Sequence, residues 1–244
     1  MWKLILLPLA LAGCSRSEPT TAPSTSAPSA SAALASPHSE RGSSSAHHHP
    51  KPLGHRFETA EHWASIFDDP ARDAWQKPSS VVSLMALSEG NVVADIGAGT
   101  GYFLPHLARA VGKSGTVIGL DVEPDMVRYM RERAAREGWA NVEARKAQPD
   151  DPSIAAASVD RILIVNTWHH IPDRTGYARK LLIALKPGGS VFVVDYTLDS
   201  PHGPPRDHRL PADRVIDELS RGGFDATLGE EDLPYQYVVV GKKE

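Results

Sequence analysis

The residues most able to do chemistry together are Asp95, Gly97, Gly99, Thr100 and Gly101, within Val92-Val93-Ala94-Asp95-Ile96-Gly97-Ala98-Gly99-Thr100-Gly101-Tyr102-Phe103. Glycines at alternate positions strip side chains from a turn, so a ligand can approach the backbone or φ can become positive. A helix over roughly Gly101 to Ala110 would aim free N–H groups at the same ligand and favour a negative group such as a carboxylate. Asp95, at the end of the preceding apolar run, is placed to receive a cationic or hydrogen-bond-donating part of it. An acid on one side of the turn and an anion-seeking helix end on the other suit a zwitterionic amino acid better than a pyrophosphate. Two more groups of side chains stand out. Asp121 closes the apolar run Thr116–Asp121 about twenty residues after the turn, where an acid can accept a pair of sugar hydroxyls. His169 and His170 could act as base, substrate contact or metal ligand. Polar lining is favoured over metal, because no cysteine or carboxylate stands at a metal-binding spacing from them. Tyr235 stands behind them as a further proton-transfer candidate.

The spacing of the turn selects among cofactors. A dinucleotide fingerprint would need its third glycine at position 102, which is Tyr102. The pattern D-x-G-x-G-T-G instead resembles motif I of the class I S-adenosylmethionine (SAM)-dependent methyltransferases. Leu185-Lys186-Pro187-Gly188-Gly189 ahead of an apolar run resembles a later motif of the same family. The likeness covers about residues 90 to 200, and within the family it is closest to the small-molecule branch that includes ubiquinone/menaquinone methyltransferases. It implies that SAM is held by Asp95, Gly97, Ala98, Gly99, Thr100 and Gly101, that Asp121 takes the ribose, and that Val122 and Met126 flank the adenine. Many relatives carry a Gly-Asp-Ala-type segment whose aspartate meets the adenine amino group. Here Lys146-Ala147-Gln148 stands in that place, which leaves Gln148 or Asp151 for that edge, with Asn166 at the end of the fourth strand. The implied chemistry is methyl transfer to an oxygen, nitrogen or carbon of a small acceptor, with His169, His170 and Tyr235 as catalytic candidates. Proximity and alignment can supply much of such a rate, so a dedicated base is not required. The alternative is a non-catalytic binding module, tethered to the envelope, that keeps a nucleoside pocket. An NAD-dependent oxidoreductase is disfavoured by the missing glycine.

These residues need elements to hold them. Short apolar runs bounded by glycines predict buried parallel strands, and amphipathic stretches between them predict helices. Strands are expected at the start of the Val92–Phe103 stretch with Asp95 at its end, and at Thr116–Asp121, Asn141–Ala147, Val159–Asn166, Ser190–Asp195, Ala226–Glu230 and Gln236–Val240. Helices are expected at Pro124–Glu137, Asp173–Leu185 and Ala212–Arg221. The resemblance implies the α/β fold class: a Rossmann-like, seven-stranded, mostly parallel sheet with its last strand antiparallel and helices on both faces. An N-terminal helical lid is expected ahead of it. Its parts are a helix over Glu58–Phe67, a capped turn at Asp68-Asp69-Pro70, a helix ended by Pro78, and another over Val81–Leu87 capped by Ser79 or Ser80. Trp63, Phe67, Trp75 and Gln76 could face the ligands or simply pack on the sheet. Asn166, Trp168, His169, His170 and Asp195 are expected at the acceptor edge, with Trp63, Trp75, Gln76, Tyr235 and Gln236 covering it.

The 244 residues suffice for one domain and extra segments, and the formal charge of −4 with no basic stripe gives no reason to expect nucleic acid. The one cysteine, Cys14, excludes an intramolecular disulfide framework. Met1-Trp2-Lys3 is a charged start and Leu4–Ala12 is apolar but too short to span a bilayer. Leu11-Ala12-Gly13-Cys14 resembles the lipobox of bacterial lipoprotein signal peptides, implying cleavage before Cys14, lipid attachment there and a place on the cell envelope membrane. The domain would be cytoplasmic if translation began downstream. The expected organisation is a signal peptide over 1–13, a Ser/Pro/Ala-rich disordered tether over 14–55, and the methyltransferase-like domain over 56–244. The tether composition cannot bury enough apolar surface to offset its ordering entropy. Its His38, His47, His48, His49 and His55 are read as polar tract rather than metal site.

Overall fold

The computed structural model describes residues 59–230 and 232–244. The signal peptide, Cys14, the tether with its histidines, and the domain start at Arg56 lie outside those residues.

Seven strands form one sheet: β1 (Val92–Ile96), β2 (Thr116–Asp121), β3 (Val142–Lys146), β4 (Val159–Val165), β5 (Leu185–Tyr196), β6 (Asp225–Leu228) and β7 (Gln236–Lys242). Their order is β3-β2-β1-β4-β5-β7-β6, all parallel except β7, which runs antiparallel to β5 and β6. The chain reverses direction across the sheet at β1 and β4, whose carboxyl ends carry the glycine turn and the His169–His170 turn. That crevice is where open α/β sheets bind ligands.

The central strands read as continuous apolar runs because both faces are covered. Val93, Val117, Leu163, Val165, Phe192 and Val194 face one core with Leu104, Leu107, Val127 and Met130. Those partners come from α4 (Leu104–Val111) and α5 (Pro124–Glu137). Ala94, Ile118, Ile162, Ile164, Val191 and Val193 face the other core with Ala178, Leu181, Val215 and Leu219. These belong to α6 (Arg174–Ala184) and α7 (Ala212–Arg221). The period-2 alternation therefore divides each strand between two helical layers.

Three local expectations are corrected. Helix α4 starts at Leu104 rather than Gly101, because Gly101 takes φ +85, outside the helical region. The Leu104 N–H donates to the Gly101 carbonyl, so the helix end stands back from the turn. Pro78 opens a helix instead of ending one. Lys77 takes φ +44 and closes α2 (Asp73–Gln76), and Pro78 stands at the first position of α3 (Pro78–Leu84), with Ser79 and Ser80 inside it. Proline's fixed φ and missing N–H suit that position. Finally, Leu185-Lys186-Pro187-Gly188-Gly189 belongs to β5: Leu185 pairs with Val159, and pairing resumes at Arg161–Ser190, so the segment between is a bulge.

Ahead of the sheet, α1 (Ala60–Phe67) runs to the turn Pro70–Arg72, capped by the Asp69 carboxylate accepting from the Ala71 N–H. Helix α1 docks on the start of α5, where the Asp125 carboxylate accepts from the Ala60 N–H at 2.7 Å.

Candidate active site

The glycine turn is shaped by what its missing side chains admit. A Cβ on Gly97 would sit 2.2 Å from Thr167 Oγ1, so the loop after β4 closes directly against the turn. On Gly99 a Cβ would lie 3.5 Å from the Phe67 ring, which roofs the turn from the lid. Both glycines have positive φ, at +71 and +57. Beneath them Asp95 is 2% exposed, and among the described residues no hydrogen bond reaches its carboxylate. Burial pushes its pKa up to about 7, with Arg72 pulling it down and Asp121 adding to the rise. A buried carboxylate left in that state is an open demand for a cation or donor. Asp121 is held differently. Its oxygens accept from the Gly99 and Glu123 N–H groups, both at 2.9 Å, and burial nevertheless raises its pKa. Beyond Asp121 an open groove of about 550 Å³ is lined by Val122, Glu123, Pro124, Asp125, Lys146, Ala147, Gln148 and Pro149.

The lid is fastened by polar contacts on both sides of the turn. Thr100 Oγ1 donates to Asp68 at 2.9 Å, and Arg133 pairs with Asp68 at 3.0 Å. The Tyr102 hydroxyl donates to Asp73. Arg72 lies over the Tyr102 ring at 4.1 Å and donates to the Phe67 carbonyl and to Gln76 Oε1. Gln76, fully buried, donates to Gln236, which donates to Asn166 at 2.6 Å. Further along the edge, Trp75 stacks on His202 at 4.5 Å and Tyr235 meets the same imidazole at 5.2 Å. At the ends of β4 and β5, His169 Nδ1 faces both oxygens of Asp195 at 2.9 and 3.0 Å, and the His170 ring lies 4.2 Å from that of His169.

Against this geometry the comparisons are specific. Residues 93–189 match the sequence model of a family described as "Methyltransferase domain". Over this segment the chain is similar to SAM-dependent methyltransferases. The solved structure of a SAM-dependent methyltransferase from Aquifex aeolicus is 27% identical, with a TM-score of 0.70 over 76% of this chain and 98% of that one. The arsenite methyltransferase of Halobacterium salinarum is 30% identical over 116 residues, 48% of this chain and 30% of that protein. The ubiquinone/menaquinone biosynthesis C-methyltransferase UbiE of Hydrogenovibrio crunogenus is 28% identical over 117 residues, 48% of this chain and 46% of that protein. The matched stretch thus spans less than half the length of these curated relatives.

The fold brings Asp95, Gly97, Ala98, Gly99, Gly101 and Asp121 to one crevice, with exposed Val122 at its groove and Met126 buried beneath. The residues present fit SAM: a buried carboxylate to which no hydrogen bond runs among the described residues, a side-chain-free turn and a second acid share that crevice. Gln148 and Asp151 face each other through their backbones, closing a turn beside the groove, where Asp151 also pairs with Lys180. Other expectations shift. The Thr100 hydroxyl engages Asp68, and the Asn166 side chain joins Gln76 and Gln236. Trp168 leaves the acceptor edge altogether. It is fully buried in the core under α6 and α7, its indole N–H donating to Glu218, which Arg174 and Arg214 also hold. Trp63 stacks on Phe67 on the cofactor side. The sequence reading missed Arg72 and Asp68. The signal available was Arg72 four residues before Gln76, a spacing that aligns side chains on a helix.

Proposed function

We propose that this chain is a SAM-dependent methyltransferase acting on a small, flat, partly apolar acceptor. The observation that carries the proposal is Asp95: a buried carboxylate without a hydrogen bond among the described residues, set under a glycine turn with Asp121 on the next strand. When bound, SAM supplies an electrophilic methyl group on a positively charged sulfur. The chain's own part is to bind, orient and exclude water. Asp95 would take the donor-bearing end of the amino acid portion, Gly97–Gly101 would admit it to the backbone, and Asp121 would take the ribose hydroxyls. Val122 and Met126 would flank the adenine, with Gln148 or Asp151 at its edge. Phe67, Arg72 and Gln76 would shut the lid over the crevice. Trp75, Tyr196, His202 and Tyr235 would present aromatic walls to the acceptor, with His169 and His170 nearby as polar groups. Calorimetry of the full chain with SAM, its demethylated product and NADH tests the cofactor. Equal binding of NADH, or none of SAM, sinks the assignment.

A second reading, a binder that transfers nothing, is favoured by one observation: Gln76, Gln236, Asn166 and the Trp75–His202 stack pack the acceptor side with the chain's own side chains. A methyl-release assay against quinols and other membrane-associated small molecules separates the two. We further propose that the mature protein starts at a lipidated Cys14 and holds its domain at the envelope surface by acyl chains. Leu11-Ala12-Gly13-Cys14 supports this. Among the described residues no helix is long and apolar enough to cross a membrane. SAM is made in the cytosol, so the proposal requires SAM to reach that compartment; a downstream translation start would instead leave the domain cytoplasmic.

A further inference from the structure

We infer that Asp195 positions His169 as a general base, and that the acceptor therefore offers a hydroxyl on an aromatic ring rather than a lone pair with no proton to lose. The inference rests on the methyltransferase reading and narrows its substrate class. Both carboxylate oxygens of Asp195 lie within 3.0 Å of His169 Nδ1, and the two side chains are 2% and 3% exposed. An ionised carboxylate only accepts, so the imidazole proton sits on Nδ1 and the lone pair on Nε2. Among the described residues no lysine or arginine pairs with Asp195, which leaves His169 as its ring partner. His170 lies beside it on the same turn, and Tyr196 and Tyr237 stand near Asp195 with phenols that burial keeps neutral. Arg72 and Arg209 reach Tyr196 from the lid and from the loop after β5.

The pair stands at the ligand edge. Thr167, two residues before His169, is the side chain that closes on Gly97, and Tyr196, next to Asp195, belongs to the aromatic cluster with Trp75. A phenolic O–H held there would break, its proton passing to His169 Nε2. The freed pair on oxygen would form the bond to the methyl carbon as that carbon's bond to sulfur breaks and sulfur keeps the electrons. The imidazolium, stabilised by Asp195, then returns the proton to solvent. An arsenite or thiolate nucleophile would need none of this.

The test is nitrogen NMR on the full-length protein with labelled histidine, in the presence of S-adenosylhomocysteine, with catechol as the probe. His169 should show the Nδ1–H tautomer, and catechol should shift its Nε2 resonance. In Asp195→Asn the Tyr196 N–H, which donates to Oδ1 at 2.9 Å, keeps the amide oxygen on its side. The amide N–H2 then faces Nδ1, and the tautomer should invert to Nε2–H. Catalysis of catechol methylation should fall by roughly 100-fold or more in kcat, with KM and SAM affinity within about two-fold. An Nε2–H tautomer in the unmodified protein, an Nε2 unmoved by catechol, or methyl release to arsenite in preference to catechol overturns the inference. If Asp195→Asn does not fold, the tautomer and catechol measurements on the unmodified protein still decide. Failure to bind S-adenosylhomocysteine would instead count against the cofactor assignment, while the tautomer measured without it still reports on the pair.

Discussion

Asp95 is a carboxylate whose usefulness to a ligand is a cost to the empty fold. Its folded pKa of about 7, raised chiefly by burial, stands above the unfolded value near 3.8. Between those values the folded chain holds a proton that the unfolded chain has lost. Stability contributed by the protonated form is therefore complete below about pH 4 and falls as pH rises to about 7, by an amount on the order of a few kcal/mol. Asp95→Asn should remove that loss: its melting temperature should exceed that of the unmodified protein at pH 8 and approach it at pH 4, by calorimetric scans. Binding runs the other way. A cationic ligand end needs the ionised form, so SAM affinity should weaken as pH drops below about 7, approaching a tenfold loss per unit, whereas Asp95→Asn should bind weakly at every pH. A flat pH profile in the unmodified protein would remove Asp95 from the site.

The turn and the lid are elements that fail in different ways. Gly97→Ala would place a methyl 2.2 Å from Thr167 Oγ1 at φ +71, so the loop after β4 must move. We expect a loss of about 3 kcal/mol or more in denaturant unfolding. Gly99→Ala meets only the Phe67 ring at 3.5 Å. It should cost about 1–2 kcal/mol from its left-handed backbone, and a bulkier residue there should abolish SAM binding while the domain remains folded. Equal damage to folding by the two alanines would contradict this division of roles. Gln76 joins the lid to the sheet. Gln76→Ala leaves the Gln236 oxygen and the Arg72 donors without their buried partner, so stability should drop by about 1–3 kcal/mol. Hydrogen exchange should rise in α1 and α2 while the central strands keep their protection.

For the whole molecule, the proposed lipid anchor makes the folded domain a surface-held one. Mass spectrometry of the native protein should find an acylated Cys14 at the mature N-terminus, in the membrane fraction. A soluble protein retaining Met1 would end that proposal. The anchor and the methyl-transfer chemistry are independent: either can fail without the other.

The mostly parallel sheet with its last strand reversed was implied by the family resemblance, and the strand order came from the structure. The strand segments and the positions of Asp95, the glycine turn and Asp121 were determined by the sequence alone. Each depends on local spacing: apolar runs of strand length, glycines at alternate positions, an acid at a strand end. Helix Pro124–Glu137 and helix Ala212–Arg221 were legible to the residue for the same reason. The tertiary structure decided what local spacing does not encode. Trp168 sits beside His169 in sequence, yet it turns into the core because Glu218, 50 residues away, meets its indole N–H there. Asn166 could serve a cofactor until Gln76 and Gln236, 90 and 70 residues away, engage its side chain. His169 and Asp195 became a pair only when β4 and β5 lay side by side, so their carboxyl ends met. Contacts between elements depend on packing partners far apart in the chain, and no window of the sequence contains both.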